Sequence, residues 1–249
     1  KIVYAEGGDH TRYEEPYEKL ILATGSQPIV PDIPGKDLEN VQLVKRYQDA
    51  EEVIQKLHSN CVQKVAVIGA GYIGVELAEA FKRNGKEVVL IDCAPTCLSG
   101  YYDRDFTDHM SDVLEKNGVQ LAFGERVTKI AGKSRVEKII TDKKEYAVDM
   151  AVLAVGFQPN AKLGEEHLER FRNGAYRVNR QERTNLPDVY AIGDCATVFD
   201  NAIGEVNYIA LASNAVRSGI VAAVNACGGH METEGVQGSN GISIWGYNM

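Results

Sequence analysis

The sequence is short of positive charge, of paired cysteines and of long apolar runs, and each shortage closes off a class of function. With 27 Lys and Arg against 35 Asp and Glu, the net charge is −8 and the pI is near 5.2. The chain therefore lacks the basic surface that nucleic acid or an anionic membrane requires. No uninterrupted apolar run reaches the roughly 20 residues of a membrane span. Cys61, Cys93, Cys97, Cys195 and Cys227 are odd in number and include no CxxC pair, a usage that fits a cytoplasmic protein better than a disulfide framework. His10, His58, His109, His167 and His230 stand isolated and read as solvated surface residues, so no metal site is expected. There is no internal repeat and no low-complexity segment. The chain also lacks an initial Met and a polar tail at either end, opening in KIVYAEGG and stopping in NGISIWGYNM, so a fragment of a longer protein is expected.

What is present centres on residues 64–92, KVAVIGAGYIGVELAEAFKRNGKEVVLID. An apolar run enters Gly69-Ala70-Gly71-Tyr72-Ile73-Gly74, a helix-patterned stretch follows, and a second apolar run ends in Asp92. That order is the strand, glycine turn, helix, strand and acid of a dinucleotide-binding unit. Gly69 serves the tight turn, Gly71 the close approach of a pyrophosphate, and Gly74 the packing of helix on sheet. A pyrophosphate there meets unpaired N–H groups and the positive end of the helix dipole. The Asp92 carboxylate suits both hydroxyls of an adenosine ribose and repels a 2′-phosphate. No Arg or Lys adjoins it before Arg104, which favours NAD(H) over NADP(H).

Around this unit, residues 2–5, 17–23, 175–178 and 189–192 are expected as strands, and 46–58, 103–117 and 207–226 as helices. Residues 119–123, 127–131, 135–141 and 145–148 read as short antiparallel strands, and Met150 to Val155 as a strand buried on both faces. Pro28, Pro31 and Pro34 mark one junction and Gly156 to Asn160 another. A nucleotide domain is thus expected between two pieces of a second domain. A short-chain dehydrogenase is disfavoured, since no Tyr has a Lys four positions later.

The flanks carry a second signature, Leu20-Ile21-Leu22-Ala23-Thr24-Gly25 before the insertion and TNLPDVYAIGD (184–194) after it. Strand C-termini are where open α/β sheets bind ligands, although a strand end with a capping Asp is the plainer account of Asp194 alone. Taken together, these segments resemble the pyridine nucleotide-disulfide oxidoreductase family. VIGAGYIGVELAEAF, YYDRDFTD, YAIGDCAT, NYIALASNAVRSG and GVQGSNGIS are most similar to its bacterial NADH oxidases of the water-forming type, with NADH peroxidase and coenzyme A disulfide reductase as close relatives.

The resemblance implies an α/β protein, with a three-layer Rossmann-like NAD-binding domain carrying a small antiparallel sheet, inserted into a partial FAD-binding domain of the glutathione reductase-like type. Residues 1–32 and 158–230 would be the FAD pieces, 33–157 the NAD domain, and 231–249 the start of a C-terminal interface domain. It implies NAD(H) and FAD as cofactors, NADH and oxygen as substrates, and a homo-oligomeric parent. The redox cysteine is expected in an N-terminal segment absent here, so no catalytic residue is assigned.

For NAD(H), the residues carried over are Gly69, Gly71, Tyr72, Ile73, Gly74, Asp92, Tyr101 and Gly156, with Tyr72 as a gate over the flavin. Glu76, one helical turn after Tyr72, would orient groups near the flavin, or is an ordinary helix-surface acid. For FAD they are Ala23, Thr24, Gly25, Ser26, Lys45, Asp194, Ala212 and Ser213, with the start of the last helix lending its dipole to the flavin. The plain alternatives are a solvated charge for Lys45, a cover over the helix start for Tyr72, and a small buried residue for Cys195. A non-catalytic NAD-binding or redox-sensing module is the competing class.

Overall fold

The computed structural model of the protein describes residues 1–59 and 61–249. The chain divides into two compact units, one of Pro28–Phe157 with Asn240–Met249, the other of Lys1–Gln27 with Gln158–Ser239.

The first unit is built on a five-stranded parallel sheet, ordered Val41–Leu43, Met150–Leu153, Lys64–Ile68, Glu87–Asp92, Val119–Phe123. Helices α1 (Tyr47–His58), α2 (Tyr72–Arg83) and α3 (Arg104–Lys116) contribute Val53, Leu57, Val75, Ala78, Phe81, Met110 and Leu114 to a core with Val65, Val67, Val88, Leu90, Met150 and Val152 of the sheet. The alternate residues, Ala66, Ile68, Val89, Ile91, Ala151 and Leu153, pack on the other side with Ile130, Ile139 and Tyr146. Those three belong to an antiparallel sheet of Val127–Ala131, Lys138–Thr141 and Glu145–Ala147. Period-two alternation in strands apolar on both faces is what puts one core above the sheet and one below it. The result is the three-layer α/β arrangement that the family resemblance implied.

Val119–Phe123 departs from expectation. It pairs parallel with Glu87–Asp92, not with the antiparallel group, because α3 between them forms a crossover that returns the chain in the same direction. The last ten residues belong to this unit: Ile242 and Ile244 are buried in the helix-side core, and the backbone N–H of Trp245 donates to Glu79 Oε1 of α2 at 2.8 Å.

In the second unit a hairpin pairs Ile2–Glu6 with Arg12–Pro16, and Leu20–Leu22 lies parallel to Val189–Ala191. The strand Arg12–Pro16 lacked any sequence signal, since all five of its residues are exposed. A core of Leu22, Ala161, Leu168, Tyr176, Val189, Ala191 and Cys195 lies around the parallel pair. Helix α4 spans Ala212–Ala226. Its start is later than the apolar pattern from 207 suggested, because Glu205–Asn207 is consumed by a strand paired with Val198–Asp200. Residues 175–178 form no strand: Tyr176 makes single bridges to Arg170 and Ala196, and Val178 N–H turns to Thr197 Oγ1 instead.

Candidate nucleotide and flavin sites

Strand Lys64–Ile68 delivers the chain into Gly69 at φ +106, where a Cβ would lie 2.4 Å from the carbonyl oxygen of Ala154. Only glycine fits such a turn. At Gly74 a Cβ would fall 1.8 Å from the Gly69 oxygen, so the first turn of α2 packs directly on the turn that precedes it. Gly71 differs: a Cβ there would meet nothing within 4 Å. It is also the N-cap of α2 and supplies no side-chain cap, which leaves open space over the uncapped amino end of a helix. That is the environment of an anion site.

Asp92 ends the next strand and is tied to this turn. Its Oδ2 accepts the N–H of Ala70 at 2.6 Å and its Oδ1 that of Ala94 at 2.8 Å. Each oxygen keeps a further lone-pair site, so the carboxylate is held in place with acceptor capacity to spare. The loop beyond it is laced to the same turn by Leu98 N–H to Ala70 O at 2.8 Å, with Leu98 buried at φ +52.

Three tyrosines gather at the start of α2. The Tyr72 ring meets Tyr101 edge-on with centroids 4.6 Å apart, and its hydroxyl donates to Tyr102 Oη at 2.7 Å. Burial, then the Tyr102 contact, raises the Tyr72 phenol well above its ordinary pKa. Tyr101 is exposed, Ile73 half-buried, and Glu76 exposed on the outer surface of α2. Gly156 takes φ +103 and accepts the Ile29 N–H at 3.0 Å. Lys45 sits at the entry to α1, its N–H donating to Asp49 Oδ2 at 3.1 Å and its ammonium 4.5 Å from the Phe157 ring centroid. Tyr102 was missed by sequence reasoning, and the only available signal was the Tyr-Tyr doublet in a loop.

A cleft of about 420 Å³ in the same unit is lined by Lys64, Lys82, Glu87, Gly118, Lys144 and Tyr146. It lies at the amino ends of the strands and the carboxyl ends of α2 and α3, where the helix dipoles disfavour phosphate.

In the other unit, strands Leu20–Leu22 and Val189–Ala191 end side by side, so Thr24 to Ser26 and Gly193-Asp194 emerge together. Ser26 Oγ donates to Asp194 Oδ2 at 2.7 Å. Thr24 Oγ1 donates to the carbonyl of Asn160, whose N–H donates to Gly25 O at 2.8 Å and whose amide donates to Thr24 O at 3.2 Å. Asn160 therefore frames the Ala23-Thr24-Gly25 segment, a role its sequence context did not reveal. Gly193, at φ +67, donates its N–H to Ser218 Oγ of α4 at 3.2 Å. Tyr208 Oη donates to Asp194 O at 2.8 Å, and burial raises its phenol. Ala212 and Ser213 are exposed at the amino end of α4, whose N-cap Leu211 offers no side-chain cap. Cys195 is buried, its thiol donating toward Ile192 O at 3.2 Å and Leu22 O at 3.4 Å.

Among the described residues no helix is long and apolar enough to cross a membrane, and no cluster of His, Cys, Asp or Glu could hold a metal ion.

The sequence matches the family described as pyridine nucleotide-disulphide oxidoreductase over residues 2–219. It is 60% identical to an NADH oxidase of Streptococcus pyogenes over 97% of this chain and 55% of that protein. To an NADH oxidase of Streptococcus pneumoniae it is 56% identical over 100% of this chain and 57% of that protein. A solved structure of the water-forming NADH oxidase from Lactobacillus brevis bound to NADH superposes with a TM-score of 0.94 at 39% identity, covering 98% of this chain and 54% of the other. The chain thus spans little more than half the length of these relatives.

Proposed function

Because this chain belongs to the pyridine nucleotide-disulphide oxidoreductase family, we propose that the protein acts as an FAD-dependent NADH oxidase, delivering hydride from NADH to flavin and electrons to oxygen to give water. The observation that carries the reading is the open, uncapped amino end of α2 at Gly71 beside an Asp92 carboxylate with unused acceptor sites.

Gly69, Gly71, Ile73 and Gly74 would cradle the NAD(H) pyrophosphate, Asp92 would accept from the adenosine ribose hydroxyls, and Tyr72, Tyr101 and Gly156 would line the bound nucleotide, with Glu76 one helical turn away. A 2′-phosphate beside Asp92 would bring like charges together, which supports NADH over NADPH as the donor.

For FAD, the Ser26–Asp194 pair offers a hydroxyl and a carboxylate suited to a polyol chain, with Ala23, Thr24 and Gly25 as further contacts. Ala212 and Ser213 open α4, whose uncapped amino end would favour negative charge on the flavin. Bound FAD supplies the two-electron redox chemistry, while this chain's residues bind and orient. The redox cysteine of the reaction is none of the five here; Cys195, the one beside Asp194, is buried with its thiol turned to backbone carbonyls. We assign the protein to the cytoplasm and to a homo-oligomer. The names of the streptococcal relatives favour an oxidase over NADH peroxidase or coenzyme A disulfide reductase.

The test is oxygen uptake and peroxide release by the flavin-loaded, full-length protein supplied with NADH. Two NADH consumed per oxygen with no peroxide is expected. One NADH per oxygen with matching peroxide would refute the water-forming assignment, and absence of uptake would refute the oxidase.

A further inference from the structure

We propose that Tyr102 is a positioning residue of the nucleotide site, holding the Tyr72 ring back from the open amino end of α2 through a hydroxyl-to-hydroxyl hydrogen bond. The inference rests on the reading of the Gly69–Gly74 turn as the NAD(H) site and extends it to a side chain with no contact assigned to the nucleotide.

Tyr72 is the first residue of α2 and directly follows Gly71, the position with open space above it. A large ring here has two places to go, over that space or back against the protein. It takes the second: it packs on the helix-side core, lies edge-on to Tyr101 at 4.6 Å and Tyr102 at 6.1 Å, and places its hydroxyl 2.7 Å from Tyr102 Oη. Tyr102 is itself fixed. Its N–H donates to Leu98 O at 3.3 Å, and Leu98 N–H donates to Ala70 O at 2.8 Å, inside the glycine turn. The two phenols are therefore the closing link of a loop of contacts running from Ala70 through Leu98 and Tyr102 to Tyr72.

A half-buried hydroxyl that loses its only protein partner among the described residues must seek water, and the simplest route is rotation of the Tyr72 ring toward the open side. There it would occupy space above Gly71, and an entering pyrophosphate would have to displace and re-order it. Tyr102 removes that cost in advance, which is preorganisation.

Calorimetric titration of the protein with NAD⁺, a probe that does not reduce flavin, tests this with Tyr102→Phe, Tyr72→Phe and the double variant, alongside thermal midpoints without nucleotide. Tyr102→Phe keeps the ring and removes one oxygen. It should weaken NAD⁺ binding about fivefold, and the double variant should bind no more weakly than the weaker single, because both changes cut one bond. A merely structural Tyr102 would lower the midpoint and leave the affinity where it was. Wild-type affinity in Tyr102→Phe, or losses that add in the double variant, would overturn the role of Tyr102 while leaving the nucleotide site standing. Wild-type protein that binds no NAD⁺ would overturn both.

Discussion

Glu182 offers a test of stability that is independent of any ligand. Its side chain is only 3% exposed, its backbone stands at φ +59, and Oε2 has no hydrogen-bond partner among the described residues. Burial alone pushes the carboxyl up to about 8 from an ordinary 4.5. The folded protein thus holds a neutral acid that ionises on unfolding at neutral pH, so the group's contribution is complete below about 4.5 and is lost as pH rises to about 8. Each pH unit in that window costs about 1.4 kcal/mol, or about 3 kcal/mol by pH 7. Glu182→Gln keeps the shape and removes the titration, at a constant cost or gain for the amide. The stability difference between variant and wild type should therefore grow with pH, in the variant's favour, by about 3 kcal/mol from pH 4.5 to 7. Urea unfolding followed by far-UV circular dichroism at several pH values measures it. Parallel stability curves for the two proteins would show that Glu182 is already ionised or hydrated in the folded state, and the argument would fail.

Gly69→Ala should abolish measurable NAD⁺ binding, since the added Cβ meets the Ala154 carbonyl at 2.4 Å in a left-handed turn; retained affinity in a titration would show that the turn adapts. Asp92→Asn should weaken NAD⁺ by roughly tenfold and narrow the gap between NADH and NADPH, because the amide offers one acceptor oxygen in place of two and no longer repels a 2′-phosphate. Competition titrations with the two dinucleotides check it, and an unchanged preference would contradict the role given to Asp92.

The glycine turn was legible because its causes are local. Gly69 and Gly74 each answer a steric constraint set within one strand-helix-strand unit. The direction of Val119–Phe123 was less legible, since its alternation of apolar residues is the same in either orientation and only the α3 crossover decides. The Ser26–Asp194 bond joins residues 168 apart, which no periodicity can foretell, and it was approached only through motif resemblance. Tyr102 and Asn160 lay beyond reach for the same reason, because their partners arrive from other segments. Glu182 sits in NRQERTN, a stretch whose composition reads as surface. Its burial follows from the backbone, where its carbonyl accepts the N–H of Ala191 at 3.1 Å at the end of a core strand.

The contact between Trp245 and Glu79 bears on where this protein can be cut. The chain enters the nucleotide unit at Pro28, leaves after Phe157 and comes back at Asn240, so a contiguous excision cannot recover that unit intact. A version ending at Ser239 would uncover the core surfaces now closed by Ile242 and Ile244, forfeiting about 3–6 kcal/mol of apolar burial. It would also leave Glu79 without the backbone N–H it accepts from Trp245. Residues Asn240–Met249 thus act as a structural part of α2, and a fragment made to test the proposed nucleotide site should carry them along.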